Sequence, residues 1–292
     1  MLLPHFEFHE PTTVSEACEI MGRLREKARP IAGGTDLIVN MKKNLIRPDH
    51  VVSLAKIDDL KGIVRENGLL EIGACVTAAE IAGSDAVEKK FAALAQGARV
   101  LGSPLIRNLA TISGNVVSAR PAADLPPPLM AYGARAVLMK TSGERSVDLN
   151  DFFKAPGKTV MDPDEILTRI VIEAPQGHYG DSYVKLGLRQ TFEISLVNVA
   201  AFISLDGSDG PISKARVILG SVGPTPIRSQ SAEDVLGGQM PSEPLFARAG
   251  EAAAGDAQPI DDFRGSAEYR RDMVAVLTRR ALNMALKRAG SR

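Results

Sequence analysis

Cysteine is scarce in this 292-residue sequence, and tryptophan is absent. The two cysteines, Cys18 and Cys75, cannot form a disulfide framework and cannot alone hold a zinc ion or an iron–sulfur cluster. We therefore predict that both are core residues. The four histidines, His5, His9, His50 and His178, are scattered along the chain, and no metal site is predicted from them.

Net charge is also absent, because 35 Lys and Arg balance 35 Asp and Glu. Such a chain creates no overall field that would attract nucleic acid or an anionic membrane. The N-terminus lacks a basic region followed by an apolar segment, and nowhere do 18 uncharged apolar residues run together. We predict a cytoplasmic protein with no nucleic-acid partner and no membrane span.

The residues that are present are typical of a folded protein, with 45% hydrophobic and 24% charged residues. The length suits two or three domains. Capping boxes at Thr13 to Glu16 and Thr77 to Glu80 predict the starts of two helices, the second continuing through residues 85–102. Further strands are predicted at 28–34, 50–57, 69–76 and 167–175, with a hairpin over 135–149 closed near Ser142 and Gly143.

The pattern changes near Gly177. Three strands are predicted around residues 182–189, 198–205 and 214–222, and they suit a small antiparallel sheet. Helices follow, and the last one carries a stripe of Met273, Leu277 and Ala281 that must pack against another element. We predict an α+β protein with three parts, at residues 1–55, 56–176 and 177–292.

A glycine-containing loop, Ala32–Asp36 ("AGGTD"), follows a predicted strand and precedes a predicted helix. Gly33 and Gly34 lack Cβ atoms, so they permit positive φ angles and let backbone N–H groups approach a ligand oxygen. Thr35 either donates its hydroxyl to a phosphate or caps the helix. Asp36 is expected to cap the helix, because its charge would repel a diphosphate. Alone, such a loop is more often only a turn.

A second loop, Thr111–Asn115 ("TISGN"), offers the same kind of uncharged donors, namely the Thr111 and Ser113 hydroxyls and the Asn115 amide. Neither loop contains Lys or Arg, so the lysine of a nucleoside-triphosphate P-loop is missing. Neutral donors suit the diphosphate of a dinucleotide. Asp124 would then take a ribose or ribityl hydroxyl, as acidic residues do at other dinucleotide sites.

Together, the two loops and the segments "ARPAADLPP", "DEIL", "YVKL" and "FRGSAEYRRDMVAVLTRRAL" resemble one family across the whole chain. It is the FAD-binding (medium) subunit of molybdenum hydroxylases, which includes the medium subunit of carbon monoxide dehydrogenase and the flavin domain of xanthine dehydrogenase. The resemblance implies a two-subdomain FAD-binding fold (PCMH/vanillyl-alcohol-oxidase-like), followed by a C-terminal domain with a three-stranded antiparallel sheet and helices.

The resemblance also implies the residues that bind noncovalent FAD. The two loops and their neighbours hold the diphosphate, Val117, Ser118 and Asp124 line the ribityl end, and Ile166 and Leu167 touch the ring or the adenine. Lys185 approaches the polar edge of the flavin, where a cation favours reduction. The residues of the two loops and their neighbours are Ile31, Ala32, Gly33, Gly34, Thr35, Asp36, Leu37, Ala110, Thr111, Ser113, Gly114 and Asn115.

The function implied is electron transfer rather than substrate chemistry, so no catalytic residue is predicted. Electrons would pass from a molybdenum site through 2Fe–2S clusters, both on partner subunits, to FAD and then to an external acceptor. The implied partners are a large subunit with the molybdenum cofactor and a small iron–sulfur subunit, assembled as an (αβγ)2 heterohexamer.

Three departures from the family pattern limit what the resemblance implies. Ser113 stands where the family commonly has Gly. "KLGLRQTFE" offers only Arg189 after the lysine where the xanthine dehydrogenase type has paired arginines, so the resemblance does not imply NAD as the acceptor. Two distant cysteines cannot supply the iron–sulfur insert found in one branch of the family.

Two other functions stay open on the sequence alone, a self-sufficient flavin oxidase and a binding module without catalysis. The C-terminal run of seven Lys and Arg from Arg270 onward is either a solvated helix face or a docking surface.

Overall fold

Three β-sheets and a two-stranded ribbon organise the chain in a computed structural model that describes residues 2–189 and 193–290. The strands are β1 Glu7–His9, β2 Ala28–Ile31, β3 His50–Ser53, β4 Ile63–Glu66, β5 Leu69–Gly73, β6 Arg135–Lys140, β7 Gly143–Asp148, β8 Phe153–Ala155, β9 Lys158–Thr159, β10 Ile166–Glu173, β11 His178–Leu186, β12 Val197–Leu205, β13 Ile212–Gly220 and β14 Ile227–Arg228. The helices are α1 Val14–Leu24, α2 Leu37–Lys42, α3 Ala78–Gly83, α4 Asp85–Lys90, α5 Ala92–Val100, α6 Pro104–Arg107, α7 Ile112–Val117, α8 Pro126–Tyr132, α9 Gln230–Leu236, α10 Glu243–Asp256 and α11 Ala267–Ala289.

The N-terminal sheet is parallel, with strand order β1-β3-β2. As predicted, Thr13 caps α1 by accepting the Glu16 backbone N–H at 3.2 Å. Ala17 and Met21 of α1 are fully buried in the core that lies behind the sheet. β2 ends at Ile31, so the first loop begins at the carboxyl end of a parallel strand.

The middle sheet is antiparallel, with strand order β4-β5-β10-β6-β7. The predicted hairpin is confirmed, since Lys140 pairs with Gly143 at its closed end. The predicted capping box at Thr77 is also confirmed, because both of its hydrogen bonds with Glu80 are present.

The prediction of one helical region through residues 85–102 is wrong. α3, α4 and α5 are separate helices, and Ser84 starts α4 by accepting the Val87 backbone N–H. Phe91 separates α4 from α5 with non-helical φ and ψ (−134° and 51°), and its fully buried ring holds the chain in the core at this point.

The polar and proline-rich stretch after residue 102 folds into the three short helices α6, α7 and α8. Ser103 caps α6, and Thr111 caps α7 by accepting the Gly114 backbone N–H at 3.1 Å. Prolines occupy the first turn of α8, where the missing N–H groups cost no intrahelical hydrogen bond. The second loop is therefore the first turn of α7.

The C-terminal sheet is antiparallel, with strand order β11-β12-β13-β14. It has a fourth strand beyond the three predicted, and the two residues of β14 are too few to produce a recognisable pattern. As predicted, α11 packs on the sheet through Leu277 and Ala281, which are 3% and 0% exposed. The approach is close, because a Cβ at Gly180 would lie 1.8 Å from the Ala285 carbonyl oxygen.

The C-terminal sheet contributes to two cores. One face packs with α9, α10 and α11, whereas Tyr179, Tyr183 and Phe202 on the other face join the core of the first two sheets. The basic run of α11 is not a single surface, because Arg270 is 2% exposed and ion-paired with Asp262. Within the described ranges, no helix combines the length and the apolar character that crossing a membrane requires.

The two cysteines differ in burial. Cys18 lies in the core, as predicted, whereas Cys75 is half-buried and its thiol donates to the Leu54 carbonyl oxygen at 3.6 Å. Burial raises the pKa of Cys75 to about 11. An unfolded thiol ionises near pH 9, so the unfolded state loses this proton first. The contribution of Cys75 therefore lowers the free energy of unfolding as the pH rises from 9 to 11.

We expect Cys75 to react slowly with iodoacetamide at pH 8. Only about one folded Cys75 thiol in a thousand is ionised there, against roughly a quarter of exposed thiols with a pKa near 8.5. The rate, followed by peptide mass spectrometry, should rise about tenfold per pH unit up to pH 10. Alkylation in denaturant is the reference, and equally fast reaction of the folded protein at pH 8 would contradict the assigned pKa.

Candidate functional site

One cleft of about 350 Å³ brings the two predicted loops together. All seven residues from Ile31 to Leu37 line it, and so do Thr111, Gly114, Val117 and Ser118. Ligand clefts in proteins commonly have volumes of about 300–1,000 Å³. The loops are near 80 residues apart in sequence, and the fold places them on one cavity.

The first loop depends on its two glycines for different reasons. A Cβ at Gly33 would lie 1.7 Å from the carbonyl oxygen of Leu109, just before the second loop, so only glycine permits this contact. Gly34 has a φ of +71°, which other residues adopt only with strain. The close approach of Gly33 to Leu109 therefore sets the distance between the two loops.

The second loop is fixed from behind by backbone hydrogen bonds. The Ala110 carbonyl accepts the Ala78 N–H at 2.8 Å, and the Val76 carbonyl accepts the Ile112 N–H at 2.9 Å. Ser113 lies inside α7 and is not among the described residues with positive φ, so the serine is tolerated where the family commonly has glycine. This loop forms one rigid wall of the cleft.

Some hydroxyl and amide groups predicted to face the ligand have protein partners. Ser113 is 5% exposed, and its hydroxyl lies 3.4 Å from the Thr111 hydroxyl. The Asn115 side-chain oxygen accepts the Leu125 N–H at 3.1 Å. In the described part of the chain, neither Ser113 nor Asn115 lines the cleft. The residues at α7 that do so are Thr111, Gly114, Val117 and Ser118.

The prediction that Asp36 caps α2 through its side chain is wrong. Asp36 occupies the N-cap position, but in the described structure its side chain makes no capping hydrogen bond. Its carboxylate instead lies 3.7 Å from Arg120 Nε. The physical reason is the backbone, which is already helical at Asp36 (φ −97°, ψ −48°), whereas a capping side chain needs extended φ and ψ.

Two arginines in the cleft were not predicted as site residues. Arg29, on β2, and Arg120, after α7, both line it, and Arg120 also donates to the Asn40 side-chain oxygen at 3.3 Å. Arg120 lies two residues after Ser118, inside the quoted "ARPAADLPP" segment, so its signal was present in the sequence. The cleft therefore carries cations at its rim as well as the uncharged donors predicted for it.

Asp124 and Lys185 lie together in a separate buried network. Lys185 Nζ is 3.0 Å from an Asp124 carboxylate oxygen, and both side chains are at most 10% exposed. The Tyr183 hydroxyl donates to the other oxygen at 2.7 Å, and Ser195 Oγ lies 3.4 Å from it. Burial raises the pKa of the Asp124 carboxyl, while Lys185, Tyr183 and Ser195 oppose that rise.

Three other predicted site residues do not line the cleft in the described structure. Ile166 and Leu167 lie on the central strand β10 and are 1% and 3% exposed, because that strand is covered on both faces. Only their backbone could meet a ligand. Ala110 is 7% exposed and acts through its carbonyl hydrogen bond. Residues 190–192 of the segment "KLGLRQTFE", on which the choice of acceptor was argued, lie outside the described residues.

Comparisons with known proteins agree with this arrangement. Residues 4–175 match the family described as the FAD binding domain in molybdopterin dehydrogenase, and residues 182–285 match the CO dehydrogenase flavoprotein C-terminal domain. The chain belongs to the FAD-binding medium-subunit family of molybdenum hydroxylases. It is therefore a subunit of an oxidoreductase and contains an FAD-binding domain.

Members of the medium-subunit family match almost the entire chain. The carbon monoxide dehydrogenase medium chain of Afipia carboxidovorans is 34% identical over 289 residues, covering 99% of both chains. The xanthine dehydrogenase FAD-binding subunit of Escherichia coli O157:H7 is 29% identical, covering 98% of this chain and 97% of that one. A chain of carbon monoxide dehydrogenase from Hydrogenophaga pseudoflava superposes with a TM-score of 0.94 at 30% identity, covering 99% of each chain.

Proposed function

We propose that this chain is the electron-transfer flavoprotein of a molybdenum-containing hydroxylase. It would receive electrons from iron–sulfur clusters on a partner subunit and pass them through noncovalent FAD to an external acceptor. The observation that carries the proposal is the single cleft lined by both glycine-containing loops. We propose that the chain has three parts, at residues 1–55, 56–176 and 177–292, and the three sheets, which follow one another along the chain, support this division.

The cleft fits the diphosphate of FAD by its chemistry. The first loop lines one side, where its backbone N–H groups are proposed to bind the diphosphate, and Thr111 and Gly114 line the other side. Arg29 and Arg120 add positive charge at the rim, which complements the two negative charges of a diphosphate. FAD, when bound, supplies the redox chemistry, and these residues hold and orient it.

The Asp124–Lys185 pair is proposed to contact the ribityl chain and the polar edge of the flavin. Asp124 comes after the end of α7 in the chain, and we propose that it lies beyond the wall formed by the second loop. Lys185 brings a positive charge from β11 to the same point. In this proposal the cofactor meets a neutral ion pair instead of an isolated cation.

The proposed partners are a large subunit that holds the molybdenum cofactor and a small subunit that holds 2Fe–2S clusters. Support comes from the relatives, which are named as medium chains or FAD-binding subunits and match this chain over nearly its full length. A medium chain of this kind has no need of a substrate pocket of its own. An (αβγ)2 heterohexamer is the assembly we propose.

Flavin titration of the purified chain tests this function. We expect the FAD-loaded chain to show a flavin absorption spectrum with one FAD per chain and to release all of it on acid precipitation. The loaded chain alone should not turn over xanthine, aldehydes or carbon monoxide. Flavin retained by the precipitated polypeptide, or turnover by the lone chain, would favour the self-sufficient oxidase, and absence of flavin binding would reject both.

A further inference from the structure

Two histidines and a glutamate meet on the N-terminal sheet, away from both loops. His9 Nε2 lies 3.1 Å from His50 Nδ1. The Glu7 carboxylate reaches both rings, with Oε1 at 3.7 Å from His9 Nε2 and Oε2 at 3.4 Å from His50 Nδ1. We call these three residues the histidine cluster.

The parallel register of two strands assembles the histidine cluster from residues distant in sequence. Glu7 on β1 pairs with His50 on β3, and the Glu7 N–H donates to the Asp49 carbonyl at 2.9 Å. His9 shares a face with Glu7, because side chains in a strand alternate between faces. Spacing along the chain does not group these residues, since 41 positions separate the two histidines.

The three distances match those between ligands of one metal ion. A zinc ion about 2.0–2.1 Å from each of its donors, at tetrahedral angles, places those donors about 3.3 Å apart. The two imidazole nitrogens are 3.1 Å apart, and each lies 3.4 or 3.7 Å from one of the two Glu7 carboxylate oxygens, so the separations lie around that value. Without a metal, the same contacts form one hydrogen bond between the two rings and two contacts from the rings to the Glu7 carboxylate.

We propose that Glu7, His9 and His50 bind a divalent transition metal of the zinc class. Two imidazole nitrogens and one carboxylate group suit zinc and its neighbours, whereas calcium and magnesium prefer oxygen ligands alone. The side chains of His9, His50 and Glu7 are 15%, 21% and 66% exposed, so an ion can enter from solvent and water can complete its coordination.

The histidine cluster is separate from the cleft. Within the described residues, none of Glu7, His9 and His50 lines the cleft. A bound ion would fasten β1, a three-residue edge strand, to β3. Its expected effect is therefore stabilisation of the N-terminal sheet.

Zinc titration of the full chain after treatment with EDTA tests the metal site. Isothermal titration should show one Zn²⁺ per chain, and zinc should raise the unfolding temperature. His9→Ala and His50→Ala should each weaken binding at least about 100-fold, because loss even of a residue that only supports a metal ligand costs about 10–100-fold. Glu7→Gln should weaken it in the same direction.

Matched controls separate ligand loss from damage to the fold. His5→Ala removes an exposed histidine four residues before His9 and should leave zinc affinity unchanged, as should His178→Ala on β11. If His50→Ala disturbs the sheet, its unfolding temperature without zinc will fall. The decisive measurement is then how much added zinc raises the unfolding temperature of each variant. Absence of a saturable site in the unsubstituted chain, or an equal zinc-dependent rise in His50→Ala, would overturn the proposal.

Discussion

Gly33→Ala is expected to raise the FAD dissociation constant at least about 100-fold, equivalent to about 2.7 kcal/mol. The added Cβ would overlap the Leu109 carbonyl oxygen, 1.7 Å away, so the two loops must separate. The displaced backbone N–H groups then no longer face the second loop across the cleft. Forced overpacking of this kind also costs about 1–3 kcal/mol of unfolding free energy.

Gly83→Ala is the matched control for Gly33→Ala. Gly83 ends α3, is exposed, and a Cβ there would meet no atom of the described structure within 4 Å. Its substitution should leave FAD affinity unchanged and stability equal or slightly higher. Fluorescence titration with FAD and denaturant unfolding measure both variants. Unaltered FAD affinity in Gly33→Ala would show that the spacing of the loops does not govern cofactor binding.

Lys185→Met is expected to reduce the free energy of unfolding by about 3–5 kcal/mol, because it leaves the buried Asp124 carboxylate without its cation. Adding Asp124→Asn in the same chain should recover part of that loss. Lys89→Met, which removes an exposed partner of Asp85, should produce no measurable change. Denaturant unfolding compares the variants, and equal stability of Lys185→Met and Lys89→Met would contradict the importance of the buried pair.

The same substitution should alter the redox potential of the bound flavin. If Lys185 contributes a charge-assisted hydrogen bond of about 1.5–3 kcal/mol to the reduced cofactor, its loss lowers the two-electron midpoint potential by about 30–65 mV. Asp124→Asn removes the neutralising charge and should shift the potential in the opposite direction. A redox titration measures both, and an unchanged potential in Lys185→Met would reject its role at the flavin.

Local sequence signals predicted local structure well. The helix start at Thr13, the capping box at Thr77 and the hairpin at Ser142–Gly143 depend on neighbouring residues and are confirmed, although the Glu16 side chain accepts the Thr12 N–H and so does not complete a capping box at Thr13. Strands β1 and β14 were not predicted, because three and two residues are too few for a recognisable pattern and the strands are defined by their pairing with β3 and β13. Phe91 interrupts the predicted long helix for a tertiary reason, its burial in the core.

The candidate site likewise combines residues that local sequence identifies with contacts that only the fold creates. The glycine loops and Asp124 carry a sequence signal, and the family resemblance added Lys185 as a functional residue. The ion pair between Asp124 and Lys185 joins residues 61 positions apart, and no periodicity contains that information. Arg120 was not predicted as a site residue, because the sequence does not show that the fold brings this charged side chain to the cleft.

A crystal structure of the chain with FAD tests the central claim most directly. The account predicts that the diphosphate lies in the cleft between Ala32–Asp36 and Thr111–Asn115, within hydrogen-bond distance of backbone N–H groups from both loops. A diphosphate bound elsewhere, or held by only one of the two loops, would contradict it.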